Sequence, residues 1–321
     1  MSRYGKRIIV GVGVITLLSA SLVMSEETWR LERGEQWKAV SAEDKYVLAV
    51  AEIKKMVNMG ETKAVGQTIE QLKEDFPEIA GADLDAFLEA EVLFCGGKLS
   101  KADRAYEKVL SKYPQSELYE AVLDRQFSIG TAYLGGQKRR VLGIFKMRRY
   151  AEGERIMEKI SERRGDSPIA RRAALAIVES YERRGKFIDA FDKWSGISSR
   201  WPTGQIGKDA LLGMARCKHA AYRGPRYDST HLVSAKSYYE RFKLRYPRDA
   251  EEMDIDERLK QIDEQLAYKQ FGIGEYYHKG GSKQAGNLYY QMVLDNWPES
   301  TAAKMAKERM ISDLSGEETK K

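Results

Sequence analysis

Six of the seven prolines stand at similar places in a recurring pattern, and five of them follow an aromatic residue: Phe76-Pro77, Tyr113-Pro114, Trp201-Pro202, Tyr246-Pro247 and Trp297-Pro298. Twelve residues before these prolines stand Val65, Ala102, Ala190, Ala235 and Gly286, all small or medium-sized. Eight before stand Ile69, Tyr106, Trp194, Tyr239 and Tyr290, and five before stand Leu72, Val109, Ile197, Phe242 and Val293. These offsets put the three positions on one helical face, because residues three and four apart are neighbours there. The small residue lets a second helix come close and the large one fills the adjoining gap. The proline, which cannot continue a helix, marks where it has stopped.

A second helix precedes each of these and ends at a glycine turn: Asn58-Met59-Gly60, Cys95-Gly96-Gly97, Arg184-Gly185 and Lys279-Gly280-Gly281. The unit is helix, tight turn, helix, proline, and Pro168 and Pro202 lie 34 residues apart, the pattern and length of the tetratricopeptide (TPR) repeat. Six units are expected over 41–298, at roughly 41–77, 78–114, 115–168, 169–202, 203–247 and 248–298, with a capping helix over 299–314 and a disordered tail over 315–321. The third unit is degenerate: Gly153, Met157 and Ile160 keep the spacing but lie three residues further from Pro168. The sixth has a first helix lengthened to Ala250–Lys279. One such unit cannot bury its apolar stripe, and stacking makes the core continuous. The predicted fold is all-α, a TPR-type α-solenoid in which helix–turn–helix repeats form a right-handed superhelix. Its repeat-packing residues are Ala102, Tyr106, Pro114, Ala190, Trp194, Pro202, Ala235, Tyr239, Pro247, Gly286, Tyr290 and Pro298. A concave groove of this kind receives peptides, extended segments and other domains.

The amino terminus has a basic start (Arg3, Lys6, Arg7), an apolar stretch from Ile8 to Leu18 and then small residues, the layout of a secretory signal over 1–25. Cleavage after Ser21 or after Ser25 suits the small-residue rule, with Ser25 favoured. An uncleaved anchor over Ile8–Met24 is the alternative, at 17 residues the shortest span for a bilayer. No Cys follows the apolar stretch, so no lipid attachment of the bacterial lipoprotein kind is expected. The expected location is the periplasm, with association to the outer membrane left open, and residues 26–40 are expected to be a linker.

Charge follows from this division. The full chain carries a formal +6, of which the signal holds three units. The segment GQKRRVLGIFKMRR (136–149), inserted in the third unit, holds six cations, Lys138, Arg139, Arg140, Lys146, Arg148 and Arg149, and no acid. The rest of the exported chain is therefore slightly acidic, and the basicity is concentrated in one loop. Two readings of that loop stand: contact with anionic head groups or an acidic partner, or a solvated loop whose Leu142, Ile144 and Phe145 pack back on their own repeat. Nucleic acid is not expected as a partner. A second, shorter insertion, YRGPRYDSTH (222–231), lies in the fifth unit.

Catalytic and cofactor signatures do not appear. His219, His231 and His278 are isolated, with no HExxH pattern, and no GxSxG or phosphate-cradling GxxxxGK[ST] occurs. No cofactor, no metal site and no catalytic residue is expected. Cys95 and Cys217 lie three units apart, too far for a bond in a solenoid whose repeats touch only their neighbours, and are read as free thiols filling helix contacts.

The stretch from Arg245 to Met310 has a YP followed by a long helix, the helix end Ile273-Gly274-Glu275-Tyr276-Tyr277, a glycine turn, and an aliphatic helix closing on Trp297-Pro298-Glu299-Ser300. It resembles the C-terminal part of the outer-membrane assembly lipoprotein BamD (YfiO-like) family, most specifically over 225–310. That resemblance implies a non-catalytic periplasmic scaffold in outer-membrane β-barrel assembly, with a β-barrel insertase and unfolded outer-membrane substrates as protein partners. Where members often carry an Arg that docks the insertase's soluble domains, this chain has Leu288-Tyr289. A periplasmic TPR coordinator of cell-wall synthesis or cell division is the alternative.

Overall fold

The computed structural model describes residues 29–31, 37–39, some positions between 67 and 77, 81–116, 118–141 and 145–318. The expected signal and most of the first repeat lie outside the described residues. The chain divides into two compact units, 1–96 and 97–321. In the first, strands β1 (Trp29–Leu31) and β2 (Trp37–Ala39) pair antiparallel within the expected linker, and helix α1 spans Ala82–Cys95.

The second unit contains α2 (Leu99–Lys112), α3 (Tyr119–Leu134), β3 (Lys138–Val141), β4 (Phe145–Arg148), α4 (Tyr150–Arg164), α5 (Pro168–Arg183) and α6 (Phe187–Arg200). It continues with α7 (Gly204–Ala220), α8 (Thr230–Arg245), α9 (Pro247–Glu252), α10 (Ile255–Lys279), α11 (Lys283–Asn296) and α12 (Thr301–Glu318). From α2 onward successive helices pack on one another, with α8 also packing on α10 and α10 on α12. This is an all-α solenoid of TPR type, its one departure in this unit being the β3–β4 hairpin.

The stripes read from the prolines face inward where they are described: Ala102, Tyr106 and Val109 on α2, Ala190, Trp194 and Ile197 on α6, and Ala235, Tyr239 and Phe242 on α8 are buried, while that of Val65, Ile69 and Leu72 lies outside the described residues. Gly286, Tyr290 and Val293 on α11 are buried as well. The prolines themselves are not core residues. Pro114, Pro202, Pro247 and Pro298 are exposed, because each sits in solvent just beyond a helix end. Pro168 and Pro247 open the first turn of the next helix, where a missing N–H costs nothing, and Ser167 caps α5 by accepting from the Ala170 N–H at 3.3 Å.

Close approach is specific. A Cβ on Gly213 of α7 would fall inside the Trp194 indole, whose Nε1 is fixed by donating to Glu182 Oε1 at 2.8 Å. Gly213→Ala is expected to lower unfolding stability by roughly 2 kcal/mol, since the ring cannot move without breaking that bond; urea denaturation measures it.

Two sequence expectations are corrected. The lengthened helix from Ala250 to Lys279 is broken at Met253-Asp254, where Asp254 adopts a left-handed conformation (φ 52°) and starts α10. Asp tolerates that region better than most residues, and neither Gly nor Pro announces the break. The terminal helix runs to Glu318, so residues 315–318 of the expected disordered tail are helical.

The degenerate third repeat is joined by a polar network. Asp103, buried, accepts from Gln126 Nε2 at 3.2 Å and from Arg155 at 2.8 Å, and Arg155 also reaches Glu152 at 2.9 Å. Glu107 accepts from Gln126 at 3.3 Å, from Arg163 Nη1 at 3.0 Å and from Lys159 at 3.4 Å. Burial pushes the Glu107 carboxyl up, but the hydrogen bonds from Arg163 and Gln126 and the charges of Arg163 and Lys159 outweigh it and hold it at about 2. Its folded value lies below its unfolded one near 4.5, so this contribution is full above pH 4.5 and lost as pH falls toward 2. Glu107→Gln is expected to cost on the order of 1–2 kcal/mol at pH 7 and to flatten the acid limb between those values, read by denaturant titration at each pH.

Candidate interaction surfaces

A cleft of about 1160 Å³ opens between α10, α12 and the 222–231 insertion. Tyr268 and Tyr276 on α10 stand 51% and 75% exposed at it, and Tyr277 is 38% exposed. Lys269 ties the insertion down by donating to the carbonyls of Pro225 at 3.3 Å and Tyr227 at 2.6 Å. The floor is held by Glu275, which accepts from Tyr290 Oη at 2.7 Å and pairs with Arg309 at 2.9 Å and Lys279 at 3.2 Å. Burial raises the Glu275 carboxyl, and these partners together draw it below the ordinary range. It is a fixed anion here rather than a proton donor.

Beyond the cleft the aromatic surface continues. Tyr277 stacks on Tyr289 of α11 with ring centroids 5.3 Å apart and planes 6° from parallel, and Tyr276 meets Tyr277 edge-on at 5.6 Å. Leu288 and Met292, four apart on α11, are exposed. The close crossing of α10 and α11 makes this register possible: a Cβ on Gly274 would strike the Tyr290 ring at 2.6 Å, and one on Gly286 would meet the Gly274 carbonyl at 3.0 Å. Proline spacing identified Gly286 and Tyr290 as packing positions, and it carried no signal for which neighbouring tyrosines stay exposed.

The basic insertion is a hairpin. Lys138 pairs with Arg148, Arg139 with Met147, Arg140 with Lys146 and Val141 with Phe145. By strand alternation, positions 138, 140, 146 and 148 share one face, all of them Lys or Arg, and positions 139, 141, 145 and 147 share the other. Arg148 is exposed and donates to Tyr150 Oη at 3.2 Å, and Arg149 lies 3.8 Å from Glu152.

Among the described residues no group of three or more His, Cys, Asp or Glu side chains is placed to hold a metal ion. Cys95 and Cys217 form no disulfide. Burial, with the adjacent Glu182 carboxylate, pushes the Cys217 thiol up to about 12. His278 lies against Tyr290 at 6.2 Å, and His219 bonds Gln265 at 3.1 Å. No helix among the described residues is long and apolar enough to cross a membrane.

Two family models match parts of the chain. The YfiO family, described as outer membrane lipoprotein, matches residues 211–316, and a tetratricopeptide repeat family matches 86–116. No curated protein matches. Among solved structures, the C-terminal part of a TPR repeat-containing protein from Cytophaga hutchinsonii is 14% identical, with 82% of this chain and 95% of that chain covered and a TM-score of 0.35. PilW, a widely conserved type IV pilus biogenesis factor, is 17% identical over 81% of this chain and 97% of that one, with a TM-score of 0.29. The chain is a tetratricopeptide-repeat protein that carries, over residues 211–316, a domain of the YfiO (BamD-like) outer membrane lipoprotein type.

Proposed function

We propose that this chain is a non-catalytic periplasmic scaffold acting in the assembly of outer-membrane β-barrel proteins, and that its YfiO-type domain docks the barrel insertase. The observation that carries the reading is the exposed tyrosine surface of α10 and α11 beside a preformed cleft, inside the segment that matches the family. Preorganised aromatics with few rotatable bonds are the side chains that anchor protein partners at low entropic cost. Extended segments of unfolded substrates would be received by the N-terminal repeats, and the cationic face of the β3–β4 hairpin would rest on anionic lipid at the membrane surface. A scaffold needs no proton donor or nucleophile, and Glu275, Lys279 and Arg309 at the cleft are tied up in structural pairs.

A photo-crosslinking residue at position 276 in the intact envelope tests the reading. Its expected product is the insertase's soluble portion. Recovery of peptidoglycan synthases in its place would assign the chain to cell-wall synthesis, and the barrel-assembly reading would fail.

A further inference from the structure

A second cavity, of about 560 Å³, lies between α7, α8 and the start of α10, and its lining differs in kind from the tyrosine cleft. Arg216, His219, Tyr222, Arg258 and Gln265 supply its polar atoms, and no Asp or Glu lines it. Arg216 is already paired, with Nη2 3.0 Å from both oxygens of Glu182. Arg258 has no side-chain ion pair or hydrogen bond among the described residues. The Tyr222 hydroxyl is buried and has no hydrogen-bond partner among the described residues. His219 engages the Gln265 carbonyl oxygen at 3.1 Å, which leaves the Gln265 amide N–H2 to donate elsewhere. Burial, helped by the charge of Arg258, holds His219 below the ordinary imidazole range against that hydrogen bond, so the ring adds no charge of its own at neutral pH.

The unused groups are thus donors: a guanidinium, a phenol and an amide. Leu212, Met253 and Ile255 give the rest of the wall an apolar character, completed by the Tyr239 ring. A guanidinium fork matches a carboxylate, and a buried hydroxyl without a partner is satisfied when an acceptor arrives.

We propose that this cavity binds a carboxylate carried on an apolar stem, received by Arg258 with the Tyr222 hydroxyl and the Gln265 amide as accessory donors. Either an acidic side chain of a partner segment or a free chain terminus offers that chemistry. The site stands on other residues than the tyrosine cleft, so it can fail or hold independently of the docking reading.

Hexanoate and hexanamide, titrated onto the purified chain by ligand-observed NMR, form the test. Hexanoate is expected to bind with Kd on the order of 1 mM and hexanamide at least roughly tenfold more weakly, the difference being the charge. Arg258→Gln, at an exposed side chain with no partner to lose, should weaken hexanoate roughly tenfold and leave Tm unchanged. Tyr222→Phe should weaken hexanoate severalfold while raising the Tm of the free protein, because it deletes an unsatisfied buried hydroxyl. A purely structural tyrosine would not move the two readouts in opposite directions. N-acetyl-leucine and the α-amide of N-acetyl-glutamate then separate the sources, the tighter of the two naming chain terminus or side chain. Equal binding of acid and amide, unchanged binding in Arg258→Gln, or no saturable binding of hexanoate would each overturn the proposal.

Discussion

Replacing Lys138, Arg139, Arg140, Lys146, Arg148 and Arg149 together with glutamine is expected to lower binding to vesicles containing anionic phospholipid by at least about a hundredfold. The magnitude follows from the membrane surface potential, worth about 1 kcal/mol for each Lys or Arg held near an anionic leaflet. Four of the six positions share one face of the β3–β4 ribbon, so they can approach a plane together. A flexible loop would bring them in one at a time and lose more entropy doing so. The contact should weaken steeply as salt rises and the Debye length contracts below about 10 Å. Folding should be preserved, since Arg148 is exposed and the Arg149–Glu152 approach of 3.8 Å is a surface pair of small worth. Co-sedimentation with vesicles of neutral lipid, with and without added phosphatidylglycerol, reads the effect. Equal binding to both, or an unchanged glutamine variant, would remove the hairpin from any role at the membrane.

The helices were legible because their information is local. Ala190, Trp194 and Ile197 bury the face that their spacing defines, and Trp201-Pro202 ends the helix that the proline predicts. The hairpin was not legible as strands. Its residues are mostly cationic, so the apolar alternation that betrays a half-buried strand is absent, and only the register shows which charges share a face. The break at Met253-Asp254 escaped for a related reason, because Asp in the left-handed region leaves no Gly or Pro in the sequence to mark it. The carboxylate cavity joins residues from position 212 to position 265, on three helices and the segments between them, and such convergence exists only once the repeats have stacked. The tyrosines of α10 lie between these cases: Tyr276 and Tyr277 belong to the helix end that carries the family resemblance, but the stack of Tyr277 on Tyr289 depends on the glycine-mediated crossing of α10 and α11.

Tyr276→Ala combined with Leu288→Ala is expected to weaken binding of the insertase's soluble domains by about a hundredfold, with Tm unchanged. Hot-spot aromatics at interfaces cost at least about 2 kcal/mol each on truncation, whereas an exposed side chain contributes little to its own fold. Tyr276 is 75% exposed and Leu288 57%, so both satisfy the second condition. Tyr277 is a poorer probe, because its stack on Tyr289 makes its loss a stability effect as well as a binding effect. Leu244 on α8, 87% exposed and absent from the cleft, is the matched control, and Leu244→Ala should change neither readout. Surface plasmon resonance with the immobilised chain separates the outcomes. If the double variant binds as the parent does, the tyrosine surface is not the docking site; if Leu244→Ala weakens binding equally, contact is spread over the solenoid surface and specific anchoring by α10 and α11 is wrong. The physical reason to expect the first outcome lies in the geometry. The 6° stack and the edge-on contact hold three rings in place before any partner arrives, so ordering them costs nothing at binding and their apolar area is available to the interface.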